Sequence, residues 1–256
     1  QEASDGVDKI EFEAFNQSWQ FTFNNTNATL TEVPSPPQPE PGEYSSPDGK
    51  LAAFVRDHNL WIRQIGTGEM YQLTFNGSKD YAYSERSETV SHPVSMARLN
   101  ETAKPYAVWS PDSTKLATFR MDQRNVTEMH LLQYVPGNDT RSRPWSYRFA
   151  TPGNEILPMY EPIVVDVAKK TIIAVQSPAQ PEVSLMDTED DVLQWWSDDG
   201  QTLYSLYAER GEKALQLLQT DPASGKTEMI LEERGSTFVE ANLDYASHPN
   251  IRALNS

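Results

Sequence analysis

Four histidines and one acidic cluster are the residues of this chain best suited to moving a proton or holding a metal, and their spacing argues against both. His58, His92, His130 and His248 stand singly, without a His-x-x-x-His or comparable ligand pair, so each reads as a loop or sheet residue. Asp187, Glu189, Asp190 and Asp191 gather carboxylates of the kind calcium prefers, but no glycine stands where an EF-hand loop needs its sharp turn. A solvated turn is the plainer reading of that cluster. Nucleophilic chemistry lacks a frame as well: no two glycines lie four apart, so there is no Gly-x-Ser-x-Gly elbow. The absence of cysteine removes thiolate nucleophiles, thiolate metal sites and disulfides, and no glycine-rich loop could cradle a phosphate. No cofactor or metal is therefore expected within these residues. Trp145, Tyr147, Phe149 and Tyr160 either line a binding surface or staple a long loop to the body of the fold.

The bulk chemistry narrows the partners. A formal net charge of −16 and a pI near 4.6 oppose nucleic-acid binding, which needs clustered Lys and Arg. An acidic surface serves solubility, or draws cationic groups such as peptide amino termini. With 23% charged and 38% hydrophobic residues, 256 residues suit a soluble globular protein with one sizeable core or two small ones. No apolar run approaches the roughly 20 residues that span a bilayer. Nor does the chain open on a basic, then apolar, leader, so Gln1 either follows a removed signal or marks a boundary. Asn-x-Ser/Thr occurs at Asn16, Asn24, Asn27, Asn76, Asn100, Asn125 and Asn138, seven of 13 asparagines where composition gives about two by chance. The excess points to a secreted or cell-envelope glycoprotein; loops rich in Asn, Ser and Thr for other reasons, and a cytoplasmic location, are the alternative.

The elements that would position any site come from a repeat. Ser46-Pro47-Asp48-Gly49, Ser110-Pro111-Asp112-Ser113 and Ser197-Asp198-Asp199-Gly200 each precede an apolar strand opened by a Leu within about three residues. Proline sets φ for the first central position, Asp bonds back to the backbone, and Gly or Ser closes the turn. After each turn come short strands: LAAFV, LWIRQI and MYQLT; then KLATFRM and MHLLQYV; then TLYSLYA, ALQLLQT and KTEMILEE. Trp109 and Trp196 stand just before two of the turns, where a large ring can pack between neighbouring sheets. Repeated antiparallel meanders, each too small to fold alone, predict an all-β fold, a β-propeller. The repeats lie 64 and 87 residues apart, beyond the 40 to 50 or so of a compact blade, so insertions are placed at 78–100 and 136–160, the second as an extended arm or loop. Ahead of the repeat, 10–25 reads as two short strands or one broken strand, and the proline-rich 33–49 as an extended connector.

Three segments in order, SPDGKLAAFVRDHNLWIRQIGTGEMYQLT, WSPDSTKLATFRMDQRNV and YRFATPGNEILPMYEPIVVDV, resemble the amino-terminal β-propeller of the dipeptidyl peptidase IV family of prolyl oligopeptidase clan serine peptidases. The likeness is specific over residues 43–166 and weaker beyond, where WWSDDG and LDYASHPNIRALNS remain consistent with it. It implies a partial propeller spanning 1–256, about four blades or fewer of an expected eight or so, whose catalytic α/β-hydrolase domain is absent from this chain. It further implies a non-catalytic domain that gates substrate for a serine exopeptidase releasing dipeptides from peptide amino termini. In the family, acidic side chains of a blade insertion pair with the free α-amino group, and an Arg holds a substrate carbonyl. The acidic segment falls on 81-YAYSER-86, where Glu85 is the matching acid, Arg86 stands where a second acid is expected, and Glu88 is the substitute. The implied substrate-binding residues are therefore Glu85 and Glu88, with solvated loop charges as the alternative. No Arg precedes Arg56, so none is carried over for the carbonyl. A non-enzymatic propeller scaffold for protein–protein binding, TolB-like or an inactive relative, is the other functional reading, and open sheet edges predict pairing between copies.

Overall fold

The computed structural model describes residues 8–15, 17–23, 27–33, 38–86, 102–136, 140–181, 194–211 and 213–239. All regular elements among them are strands, and the chain divides into two units, Gln1–Gln38 and Pro39–Ser256.

In the first unit β1 (Asp8–Ala14), β2 (Gln17–Phe23) and β3 (Ala28–Val33) form an antiparallel sheet in that order. The segment 10–25 thus holds two strands, separated by a turn at Phe15 with φ 57°. Register places Ile10, Phe21 and Leu30 opposite one another, as it does Phe12 and Trp19, so apolar side chains collect on one face.

The second unit is built of three blades among the described residues. The first is the meander β4 (Tyr44–Ser45), β5 (Leu51–Arg56), β6 (Asn59–Gln64) and β7 (Met70–Gln72). The second blade draws on β8 (Tyr81–Tyr83), β9 (Val108–Trp109), β10 (Lys115–Asp122), β13 (Met159–Asp166), β14 (Thr171–Ala174) and β15 (Gln180–Pro181); between β10 and β13 the chain leaves as a separate ribbon of β11 (Glu128–Gln133) and β12 (Arg143–Arg148). The third is β16 (Gln194–Trp196), β17 (Leu203–Ala208), β18 (Ala214–Thr220) and β19 (Thr227–Arg234).

Two readings of the sequence need correction here. Glu128–Gln133 is not the next strand of the second blade: β10 pairs with β13, and β11 pairs with β12. The 136–160 segment, read as an extended arm or loop, is an arm where Arg143–Arg148 joins that ribbon, but its bounds run too far, since Met159–Tyr160 opens β13. Eight-residue strands explain both. Only one half of β10 is needed to pair with β9, and its far end meets β8, while β13 pairs with β14 at one end and β15 at the other. Of the 78–100 insertion, residues 78–86 are described and the rest lie outside the described residues.

Alternation drives the stacking. On β10 and β13, Leu116, Ile163 and Val165 pack with Ala53, Leu60 and Ile62 of the first blade, whereas Ala117 and Val164 pack with Trp196 and Leu203 of the third. A sheet buried on both faces reads as a near-continuous apolar run, which is why IVVDV lacks polar alternation. The repeated turns are near copies of one another. In each, the Ser hydroxyl donates to the Asp two residues on, at 2.7, 2.6 and 2.6 Å, and accepts the N–H five residues on, at 3.0, 2.9 and 2.9 Å. The closing residues Gly49, Ser113 and Gly200 all take left-handed φ, 69°, 61° and 67°. The two tryptophans join blades as anticipated: Trp109 Nε1 donates to the Tyr44 carbonyl at 3.2 Å, and Trp196 Nε1 to that of Val108 at 3.0 Å.

Candidate functional site

The Glu85 carboxylate reaches its position through two turns, one in each of the first two blades. The β5–β6 hairpin closes on Asp57 and His58, with φ 50° and 62°, the left-handed pair that a two-residue hairpin loop demands. Buried Asn59 locks it: Nδ2 donates to the Asp57 carbonyl at 2.8 Å, and Oδ1 accepts from Gly77 N–H at 2.9 Å and the Thr74 hydroxyl at 3.1 Å. Gly77 lies so close that a Cβ there would sit 2.0 Å from the His58 carbonyl oxygen. That oxygen accepts the Tyr83 N–H at 3.1 Å, which ties the first blade's turn to β8 of the second.

The second turn is at Ser84, fully buried with φ 57°. Its hydroxyl meets that of Thr118 at 2.8 Å, and Thr118 donates onward to the Tyr106 carbonyl at 2.6 Å. Backbone bonds from Ser84 N–H to the Phe119 carbonyl and from Tyr106 N–H to the Ser84 carbonyl complete the clamp. The reversal throws Glu85 back over the β5–β6 turn. There its Oε2 and Oε1 lie 3.0 and 3.3 Å from His58 Nδ1, with the two side chains 33% and 37% exposed. Arg86 goes elsewhere: Nη1 donates to the Tyr106 hydroxyl at 3.1 Å, and the guanidinium lies 4.9 Å from that ring's centroid.

A wall of paired charges flanks this site. Arg120 donates to Glu161 and lies 4.2 Å over the Tyr81 ring, whose other contact is the Arg124 guanidinium at 4.0 Å. Burial pushes the Tyr81 phenol above its ordinary range, with the arginines opposing. Burial also works against the Arg120 charge, but Glu161 more than offsets it and the guanidinium is held more firmly protonated. Asp80 takes Arg148 of the ribbon at 3.2 Å. Both guanidiniums that stack on Tyr81 are thus committed to carboxylates, Arg124 to Asp122 at 2.6 Å.

Of the residues singled out in the sequence, Glu85 is placed as described, while Glu88, the Asp187–Asp191 cluster, His92 and His248 lie outside the described residues. Tyr147 and Tyr160 are buried, Tyr160 edge-on to Phe119 at 4.4 Å, so these two staple the fold rather than line a surface. Among the described residues no three His, Asp or Glu side chains are grouped to hold a metal. His58 was missed as a site residue. Its partner lies 27 residues away on another blade, and no local pattern announces such a pair. A concavity of about 200 Å³ between the second and third blades, lined by Gln176, Ser177, Tyr207, Gln216 and Met229 among others, has no carboxylate in its lining and offers a cation little.

Comparison with known proteins decides the family. The family model described as the Dipeptidyl peptidase IV (DPP IV) N-terminal region matches residues 5–252. The chain belongs to this family. Among curated proteins, it is 22% identical over 210 residues to dipeptidyl aminopeptidase A of Saccharomyces cerevisiae, covering 80% of this chain and 21% of that protein. To dipeptidyl-aminopeptidase B of Aspergillus niger it is 25% identical over 199 residues, covering 68% and 20%. The chain therefore spans about a fifth of the length of these relatives. The crystal structure of Porphyromonas gingivalis dipeptidyl peptidase 4 superposes with a TM-score of 0.58 at 16% identity, over 90% of this chain and 31% of that one, a likeness of fold. An N-terminal region of the dipeptidyl peptidase IV family, all-β and built of propeller blades, is thus what the residues encode.

Proposed function

We propose that this chain is the non-catalytic, substrate-gating propeller of a serine exopeptidase that releases dipeptides from peptide amino termini. Its hydrolase machinery would belong to a further domain of the same protein. Glu85 and Glu88 would receive the substrate's free α-amino group. The observation that carries this reading is the placement of Glu85: a carboxylate one-third exposed, held on a locked backbone where two blades meet, in a chain that belongs to the family. A charge-assisted bond there rewards a free ammonium and rejects an internal peptide bond, which has no charge to offer. The sequons Asn27, Asn76 and Asn125 are all exposed, which supports reading the protein as a secreted or envelope glycoprotein.

The test is hydrolysis of an Xaa-Pro chromogenic dipeptide by the full-length protein beside Glu85→Gln and Glu88→Gln. Loss of one ammonium–carboxylate bond predicts a fall in kcat/KM of about tenfold or more for each. Unchanged kcat/KM in both variants would remove the amino terminus from this site. A protein-binding scaffold is the second reading, favoured by the exposed apolar tip of the β11–β12 ribbon, Leu132, Tyr134 and Val135. A full-length protein without peptidase activity would move the assignment there.

A further inference from the structure

Given the reading of Glu85 as an ammonium site, on which this rests, we infer that His58 is a specificity-determining residue: its protonated imidazole occupies the Glu85 carboxylate and competes with the substrate's amino terminus. A carboxylate only accepts hydrogen bonds, so the Nδ1 that faces it must carry the proton in either charge state of the ring. In the neutral ring Nδ1–H uses one acceptor position of Glu85. The carboxylate keeps its full negative charge and its remaining lone pairs for an ammonium with three donors. When the ring is protonated, the pair sums to zero charge, and a second cation brought alongside loses the net attraction of the carboxylate.

Among the described residues, most of the other charged groups nearby are engaged elsewhere. Along the chain, the charged neighbours of His58 are Arg56 and Asp57, and the titratable neighbours of Glu85 among the described residues are Lys79, Asp80, Tyr83 and Arg86. Arg56 lies over the Phe54 and Trp61 rings at 5.1 and 5.2 Å, Asp80 takes Arg148, Tyr83 donates to Asn76 at 2.7 Å, and Arg86 stacks on Tyr106. Among the described residues, His58 is the side chain that the Glu85 carboxylate meets. The imidazole does not drift into place. Its backbone is pinned by Asn59, by the close approach of Gly77 and by the Tyr83 N–H, while the ring stays exposed enough to exchange protons with solvent.

The experiment is a pH profile of kcat/KM for an Xaa-Pro chromogenic dipeptide, measured on the full-length protein as wild type, His58→Asn and Glu85→Gln. Asparagine tolerates the left-handed backbone at this position, so the turn is retained. As pH falls from neutral into the mildly acid range, the wild type should lose about three- to five-fold more than His58→Asn, through KM rather than kcat. Identical acid limbs, with Glu85→Gln still impaired, overturn the role of His58 and leave the ammonium site standing. An unimpaired Glu85→Gln overturns the ammonium site itself, and His58 with it. A readout free of turnover follows the His58 ring resonances by NMR in the wild-type protein. Free Ala-Pro should shift them, its N-acetylated form should not, and no response to the free dipeptide overturns the proposal whatever the kinetics.

Discussion

Arg63 and Glu43 bind each other in the dry interior of the first blade, Nε and Nη2 donating at 2.6 and 2.5 Å, with side chains 7% and 6% exposed. Burial pushes the Glu43 carboxyl up, but the Arg63 guanidinium and the Glu40 N–H pull harder, so it sits below the ordinary range. A depressed folded-state pKa adds stability above the unfolded-state value and loses it as pH falls through the folded one. Acid should therefore lower the melting temperature in the range below about pH 4.5, and Glu43→Gln should flatten that slope. Arg63→Met strands a buried carboxylate and should cost about 3–5 kcal/mol in urea denaturation at neutral pH, with an unchanged m-value. Nothing of this pair was legible in the sequence, where Glu43 lies in a proline-rich connector and its partner is 20 residues away. The same holds for His58 and Glu85. Ser84 shows how a residue can look replaceable and not be: it stands beside the matching acid, yet it is buried and spends its hydroxyl on Thr118.

At the scale of elements, legibility follows the range of the forces. The three Ser-x-Asp turns are closed within six residues by their own side chains, so Pro, Asp and Gly announced them. Asp112 accepts from Ser110 and from the N–H and hydroxyl of Thr114, and Asp112→Ala should cost about 1–2 kcal/mol, read as a shift in urea midpoint. The short strands β4, β9 and β16 escaped notice, being two or three residues long and recognisable by their partners alone. So did the β11–β12 ribbon. MHLLQYV has the composition of a blade strand, and what sends it away is the eight-residue length of β10 and β13, which bring Arg120 to Tyr83 and Met159 to Pro181 before the chain turns back. Tertiary pairing, not propensity, chose the partner.

Across the whole molecule, charge and open edges work against each other. Among the described residues β19 is an edge strand, with Met229, Ile230 and Leu231 all about half exposed, and such an edge invites another strand. The net charge of −16 keeps copies apart at low ionic strength. Light scattering of this chain should therefore report association that grows with concentration and with added salt, as screening weakens the repulsion. A monomer at every concentration and salt would discount the edge. The tryptophan bonds between blades carry a different consequence, because they have a direction. Trp109 donates back to Tyr44, and Trp196 donates back to Val108, so each donor is synthesised after its acceptor. A nascent chain leaving the ribosome amino end first meets both of these acceptors already in place. Each tryptophan can therefore seat on the preceding blade as soon as its own strand emerges, and the blades can dock in the order of their synthesis.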